Sequence, residues 1–88
     1  HQVQQIKKRD GRIMNFDQQK IKSAIFKALR ANGSSDQKLA QKLTHDAVKI
    51  IHKKFDGHTI PSVEQIQDVV EETLIKNGLI EVAKKYIL

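Results

Sequence analysis

The stretch KKRDGR at residues 7–12, which continues as IMNFDQQKI to residue 21, decides most of what the sequence predicts. Four of its first six residues are cations, and they flank an Asp-Gly pair. Asp-Gly favours a two-residue type I′ turn between two strands, because Gly tolerates positive φ freely and Asp tolerates it fairly well. We therefore expect a β-hairpin with strands over residues 3–9 and 12–16. Cations crowded at one turn repel one another unless something anionic lies among them.

The net charge of +6 is concentrated around this hairpin. Residues 1–31 contain eight Lys and Arg against two Asp, whereas the remaining residues contain eight cations and eight anions. A charge that only kept the chain in solution would be spread evenly. Its clustering predicts an anionic partner that binds at one site.

Length and composition exclude several classes of protein. The 88 residues fit one domain with a modest core, and the lack of Cys removes disulfides and thiolate metal sites. No apolar run is long enough to span a bilayer, and no signal-peptide pattern opens the chain. We expect a cytoplasmic protein without membrane contact. Because the chain starts at His1 and stops at Leu88 inside an apolar helical pattern, residues 1–88 are interpreted as a single domain excised from a longer chain.

Apolar residues at helical spacing, together with capping residues, predict four helices. Asp17 is a suitable N-cap for the first helix. Ser34 with Gln37 and Ser62 with Gln65 have the capping-box spacing in front of the second and third helices. An apolar stripe that reaches the end of the chain predicts the fourth.

A short extended segment, His58-Thr59-Ile60, precedes Pro61 and can pair with the hairpin. The predicted fold is therefore α+β, a small bundle of about four helices capped by a three-stranded sheet. Ile6 and Lys8 have the same parity in the first strand, so they face the same side. If Ile6 points into the core, Lys8 points inward as well and needs an anion or carbonyl groups around it.

The sequence does not favour catalysis or a metal site. His45 and His52 are seven residues apart on one predicted helix, too far to share a metal, and are interpreted as surface polar residues. Glu71 and Glu72 are adjacent, so they point in different directions and form no acid–base pair. Nucleophile-elbow, P-loop and dinucleotide-binding motifs are missing from the sequence.

Lys8, Arg9 and Lys20 are the candidates for phosphate binding. Lys20 lies in the first helical turn, where the macrodipole favours an anion, so a lysine there is unusual unless a phosphate intervenes. Lys supplies a point charge and Arg a planar fork, a combination that suits a polyphosphate. Charge alone leaves open whether these three are phosphate ligands or solvated cations. The solvated interpretation is preferred for Lys7, Arg12, Lys22 and Lys27.

Two segments, IKKRDGRIMNFDQQKIKSAIFKA at residues 6–28 and IPSVEQIQDVVEETLIKNGLIEVAKKYIL at residues 60–88, resemble the ATP-cone domain. Shared features follow the family order. They are KRDG, FD before KI, an IPS entry to a helix with IQDxVE, and a closing VAxxYI. The ordered set covers nearly the whole chain and is far more specific than KRDG alone.

The resemblance implies a regulatory domain without its own catalytic site. ATP-cones occur mostly in ribonucleotide reductases and bind ATP or dATP, with or without Mg²⁺, between a three-stranded sheet and a helical bundle. ATP favours the active enzyme, whereas dATP usually shifts the oligomeric state and inhibits it. The implied partners are adenine nucleotides, the catalytic domain of the parent reductase and further copies in a nucleotide-dependent oligomer.

By matching position, the resemblance also implies the site. Lys8, Arg9 and Lys20 would contact phosphates, residues 14–17 would line the nucleotide, and a base pocket would lie at residues 63–67. The nucleotide-binding residues expected are Lys8, Arg9, Met14, Asn15, Phe16, Asp17, Lys20, Ile21, Val63, Ile66 and Gln67.

Two other functions compete with this hypothesis. One is a small basic nucleic-acid-binding domain, including the ATP-cone of a transcriptional repressor of reductase genes. Helices two to four carry no net charge, however, and no recognition-helix pattern of Arg and Asn is evident. The other is an interaction or dimerisation module whose basic turn is only solvated.

Overall fold

A short antiparallel hairpin is followed by four helices in the computed structural model, which describes residues 2–55 and 59–87. This order confirms the α+β class and the four predicted helices. The elements are β1 (Gln5–Lys7), β2 (Ile13–Asn15), α1 (Gln18–Ala31), α2 (Gln37–Lys54), α3 (Val63–Lys76) and α4 (Ile80–Ile87).

The hairpin loop has three residues, and the predicted two-residue type I′ turn is wrong. Lys8 N donates to Arg12 O at 2.8 Å, and Gly11 N donates to Lys8 O at 2.9 Å. Gly11 has a φ of 92°, while no other residue from Gln5 to Asn15 has positive φ. Three-residue loops of this kind end in a glycine that forms a bulge. The Asp10 carboxylate accepts from Arg12 N at 3.1 Å, which stabilises this longer loop without placing Asp10 in the left-handed region.

The predicted third strand is also wrong within the part of the chain that the structure describes. His58 lies outside the described residues, and Thr59 and Ile60 belong to no strand. Lys7 N instead donates to Pro61 O at 2.9 Å, and Lys7 forms a single parallel bridge with Ser62. Pro61 has no N–H to extend a ladder, and α3 begins directly after the bridge. The sheet therefore has two strands, with one added bridge at its edge.

The cap of α1 is confirmed, and so is the capping box of α3. Asp17 accepts from Gln19 N at 2.9 Å, which satisfies one of the free N–H groups in the first turn of α1. Ser62 and Gln65 exchange both bonds of the box, at 3.1 Å and 2.8 Å. These caps fix where α1 and α3 begin, directly beside the hairpin.

The predicted capping box at the start of α2 is wrong, because another residue caps that helix. Asp36 accepts from Leu39 N at 3.0 Å, whereas the Ser34 hydroxyl accepts from Asp36 N at 3.3 Å, outside the helix. Asp is at least as good an N-cap as Ser and stands next to the first helical residue. The helix therefore begins at Gln37.

The core lies among the four helices. Helix α1 packs against α2 and α4, and α3 packs against the same two helices. Ile25, Leu43, Ile51, Val70 and Leu74 are fully buried there. No helix in residues 2–55 and 59–87 is both long enough and apolar enough to cross a bilayer. The hairpin lies at one end of this bundle, where it leaves a cleft against α1, α3 and α4.

Candidate functional site

The cleft has a volume of about 330 Å³, within the range of small-molecule sites. Ten of the eleven residues predicted for nucleotide binding line it, and Arg9 is the exception. Its lining residues are Ile6, Lys8, Met14, Asn15, Phe16, Asp17, Lys20, Ile21, Ala24, Val63, Ile66, Gln67 and Tyr86. Residues far apart in the chain are thus brought together by the position of the hairpin over α1 and α3.

Two lysines give the cleft its positive charge. Lys8 is half-buried and lines the cleft together with Ile6, which confirms the shared side that their parity predicted. Lys20 is exposed in the first turn of α1, where its backbone N–H donates to Asp17 O at 3.2 Å. Among the described residues, neither lysine forms an ion pair with a carboxylate. Their charges are therefore available to an anion.

Apolar side chains form much of the remaining wall. Ile21 and Ile66 are buried with 7% of their surface exposed, and Val63 is half-buried beside them. The Phe16 ring packs edge-on against the His52 ring, with centroids 5.8 Å apart. A flat apolar group can therefore lie in the cleft against fixed side chains, while the exposed Gln67 offers polar atoms at its edge.

His52 holds the start of the chain on α2. Its Nδ1 accepts from Val3 N at 2.9 Å, and it is half-buried rather than a surface polar residue as predicted. Burial lowers the pKa of the His52 imidazole below its ordinary value of 6.5, so the ring is neutral at pH 7. Through Phe16, the same ring supports one wall of the cleft.

Three lining residues were missed from the sequence: Ile6, Ala24 and Tyr86. The parity of Ile6 with Lys8 was a usable signal, and Ala24 lies one turn after Lys20 on α1. Tyr86 belongs to the apolar stripe of α4, and a stripe does not reveal whether a side chain reaches the core or a cleft. Burial, with a smaller effect of the Glu71 charge, raises the pKa of the Tyr86 phenol to about 12.

Arg9 points away from the cleft in this structure. Its Nε donates to Glu64 Oε2 at 3.0 Å, and this hydrogen bond holds the pKa of the Glu64 carboxyl below its ordinary value. The pair lies in a second, shallow cleft of about 350 Å³, which shares Lys8 and Val63 with the first. Arg9 directly follows Lys8 in the chain, and its side chain points away from the first cleft.

Comparison with known proteins agrees with this architecture. A profile of the ATP cone domain matches residues 4–88. The chain therefore belongs to the ATP cone domain family, a family of regulatory nucleotide-binding domains.

Similar proteins include reductases of three kinds. The chain is 37% identical to the vitamin B12-dependent ribonucleoside-diphosphate reductase of Thermoplasma acidophilum, over 98% of this chain and 11% of that protein. It is 34% identical to the ribonucleoside-diphosphate reductase subunit alpha of Chlamydia trachomatis, over 94% of this chain and 9% of that protein. Against the anaerobic ribonucleoside-triphosphate reductase of Haemophilus influenzae, the values are 34%, 91% and 11%. The chain thus spans about a tenth of the length of these relatives.

Proposed function

We propose that the chain binds ATP or dATP in the cleft between the hairpin and helices α1, α3 and α4, and so regulates a ribonucleotide reductase. The observation that carries this proposal is the convergence of ten predicted residues on one cleft. That cleft combines two lysines with an apolar wall, and a nucleotide combines phosphates with an aromatic ring. The chain would be one domain of a longer protein whose catalytic domain lies elsewhere.

The phosphates would lie near Lys8 and Lys20. Both side chains line the cleft, and Lys20 lies in the first turn of α1, where the helix macrodipole adds to their attraction for an anion. The half-buried position of Lys8 reduces the screening of its charge by water. A bound Mg²⁺ would be carried by the phosphates themselves.

The adenine ring would lie against the apolar wall. Val63 and Ile66 offer apolar surface for a purine, and Gln67 could bind its amino edge. Asp17 would lie near the sugar, with one carboxylate oxygen already accepting from Gln19 N. A bound purine would cover the Gln67 amide, and a base that leaves this amide unpaired would bind less tightly, so ATP and dATP should both bind more tightly than GTP.

Regulation would follow from the contact between the cleft and α4. Tyr86 lines the cleft from α4, so a bound nucleotide would contact this helix directly. ATP and dATP would then bias the activity or oligomeric state of the parent reductase. The similarity to three kinds of reductase supports this choice of parent.

Thermal melting with ATP, dATP, GTP and a short DNA duplex tests the proposal. A ligand at 100 times its Kd stabilises a folded protein by about 2.7 kcal/mol, so the two adenine nucleotides should raise the melting temperature measurably. A rise with DNA alone, which fades as salt is added, would favour the nucleic-acid-binding alternative instead. Equal stabilisation by GTP would contradict an adenine-specific pocket.

A further inference from the structure

We propose that Glu64 is a positioning residue that holds Arg9 outside the cleft and thereby lowers the affinity of the domain for phosphate-bearing ligands. This inference rests on the proposed function, because it assigns to Arg9 a second position facing the bound phosphates. Arg9 would exchange the Glu64 carboxylate for a phosphate when a nucleotide enters. The empty and occupied cleft would then differ in one ion pair between the hairpin loop and α3.

The pair lies beside Lys8, at the end of the cleft where we propose that the phosphates bind. Arg9 follows Lys8, and Glu64 follows Val63, and both Lys8 and Val63 line the two neighbouring clefts. Arg9 Nε and Glu64 Oε2 are 3.0 Å apart. Because Arg9 is the direct neighbour of a residue that lines both clefts, a rotation of its side chain would turn the guanidinium from the second cleft toward the first.

The loop backbone does not need to change for this rotation. Bonds between Lys8, Gly11 and Arg12 close the loop, and the Asp10 carboxylate binds both Arg12 N and Arg12 Nε, the latter at 2.7 Å. None of these contacts involves the Arg9 side chain. Arg9 is therefore held by its one ion pair with Glu64 among the described residues.

The ion pair is weak enough to be replaced. The Arg9 and Glu64 side chains are 87% and 45% exposed, and water screens such pairs strongly. A triphosphate carries several negative charges and offers an arginine bidentate hydrogen bonds, which are stronger than those of a single exposed carboxylate contact. Arg9 should therefore prefer the phosphates of a bound nucleotide to Glu64. Breaking the Arg9–Glu64 pair would cost a small part of the binding free energy that the phosphate contact supplies.

Titration calorimetry with ATP and adenosine on five chains tests this inference. Four of them are wild type, Glu64→Gln, Arg9→Ala and the double variant. The fifth, Glu72→Gln on the exposed face of α3, is the matched control for loss of a charge. We expect Glu64→Gln to bind ATP about two- to five-fold more tightly, since exposed ion pairs have this range of strength. Adenosine affinity should not change, and Glu72→Gln should bind both ligands as wild type does.

The double variant separates the release of Arg9 from the simple loss of a negative charge near the phosphates. If Glu64 acts through Arg9, Glu64→Gln gives no gain in the Arg9→Ala background. An equal gain in that background, or an unchanged or lower ATP affinity of Glu64→Gln alone, would overturn the inference while leaving the proposed function intact. No ATP binding by the wild-type chain would overturn both.

Discussion

The helical bundle and the hairpin end of this molecule differ in almost every physical respect. The bundle buries Leu43, Ile51 and Leu74 completely, and the chain from residue 32 onward carries no net charge. The hairpin has strands of three residues, exposes most of its side chains, and lies in the third of the chain that holds the whole +6 surplus. Apolar burial in the bundle thus supplies stability, and the hairpin supplies charge that is useful only with an anion present.

A small set of polar and aromatic contacts joins the two regions among the described residues. Val3 N donates to His52 in α2, Phe16 packs on the same His52 ring, and Lys7 N donates to Pro61 O. The exposed Arg9–Glu64 ion pair joins the loop to α3. If this division is right, substitutions in the bundle should change the free energy of unfolding, whereas substitutions at the hairpin should change ligand binding more than folding.

The largest effect is expected from a cavity in the bundle. Leu74→Ala removes a side chain that is fully buried and should lower the free energy of unfolding by about 2–5 kcal/mol. Ile75→Ala is the matched control, because Ile75 is the next residue on α3 but is 47% exposed, so this variant should lose far less. Urea denaturation followed by circular dichroism measures both. Equal losses would mean that α3 does not face the core as described.

A smaller effect is expected from the hairpin loop. Gly11 has a φ of 92° and open space around it, so the cost of a side chain there is backbone strain rather than a clash. Gly11→Val should lower the free energy of unfolding by about 1–2 kcal/mol and weaken ATP binding as well. Gly11→Asn, which tolerates the left-handed region better, should lose less of both. Melting curves and calorimetry that do not separate the two variants would contradict the positive φ of Gly11.

The smallest effect is expected at His52, where the hairpin end contacts α2, and it is a dependence of the free energy of unfolding on pH. Because burial lowers the pKa of His52, the unfolded chain binds more protons than the folded chain as pH falls below about 6.5. This contribution to stability is present above pH 6.5 and is lost toward lower pH. His52→Gln should therefore flatten the dependence of the urea midpoint on pH between 7.5 and 5. A dependence that persists in His52→Gln belongs to other groups.

Local sequence signals predicted the four helices and two of their caps well. Asp17 and the Ser62–Gln65 pair act within one helical turn, so their roles depend little on the rest of the fold. The parity of Ile6 and Lys8 is a property of any strand, and it correctly predicted that both side chains face the same side of the hairpin.

Features that depend on tertiary contacts were predicted less well from the sequence. Asp10-Gly11 suits both a two-residue and a three-residue loop, and the choice depends on the bonds that Asp10 and Lys8 make with Arg12. The Arg9–Glu64 contact joins residues 55 apart in the chain. The position of Tyr86 depends on how α4 packs, and its apolar spacing alone does not reveal this.

Calorimetric titration of Lys8→Ala with ATP is the most direct test of the central claim that the cleft under the hairpin binds the phosphates of a nucleotide. Lys49→Ala is the control, because Lys49 is an exposed lysine on α2, a helix that contributes no residue to the cleft. We expect Lys8→Ala to lose about 1.5–3 kcal/mol of binding free energy, the usual strength of a hydrogen bond to a charged group, with an unchanged melting temperature in the absence of ligand. Lys49→Ala should bind ATP as wild type does. If Lys8→Ala binds ATP as tightly as wild type, or if both variants lose affinity equally, the phosphates do not bind in this cleft.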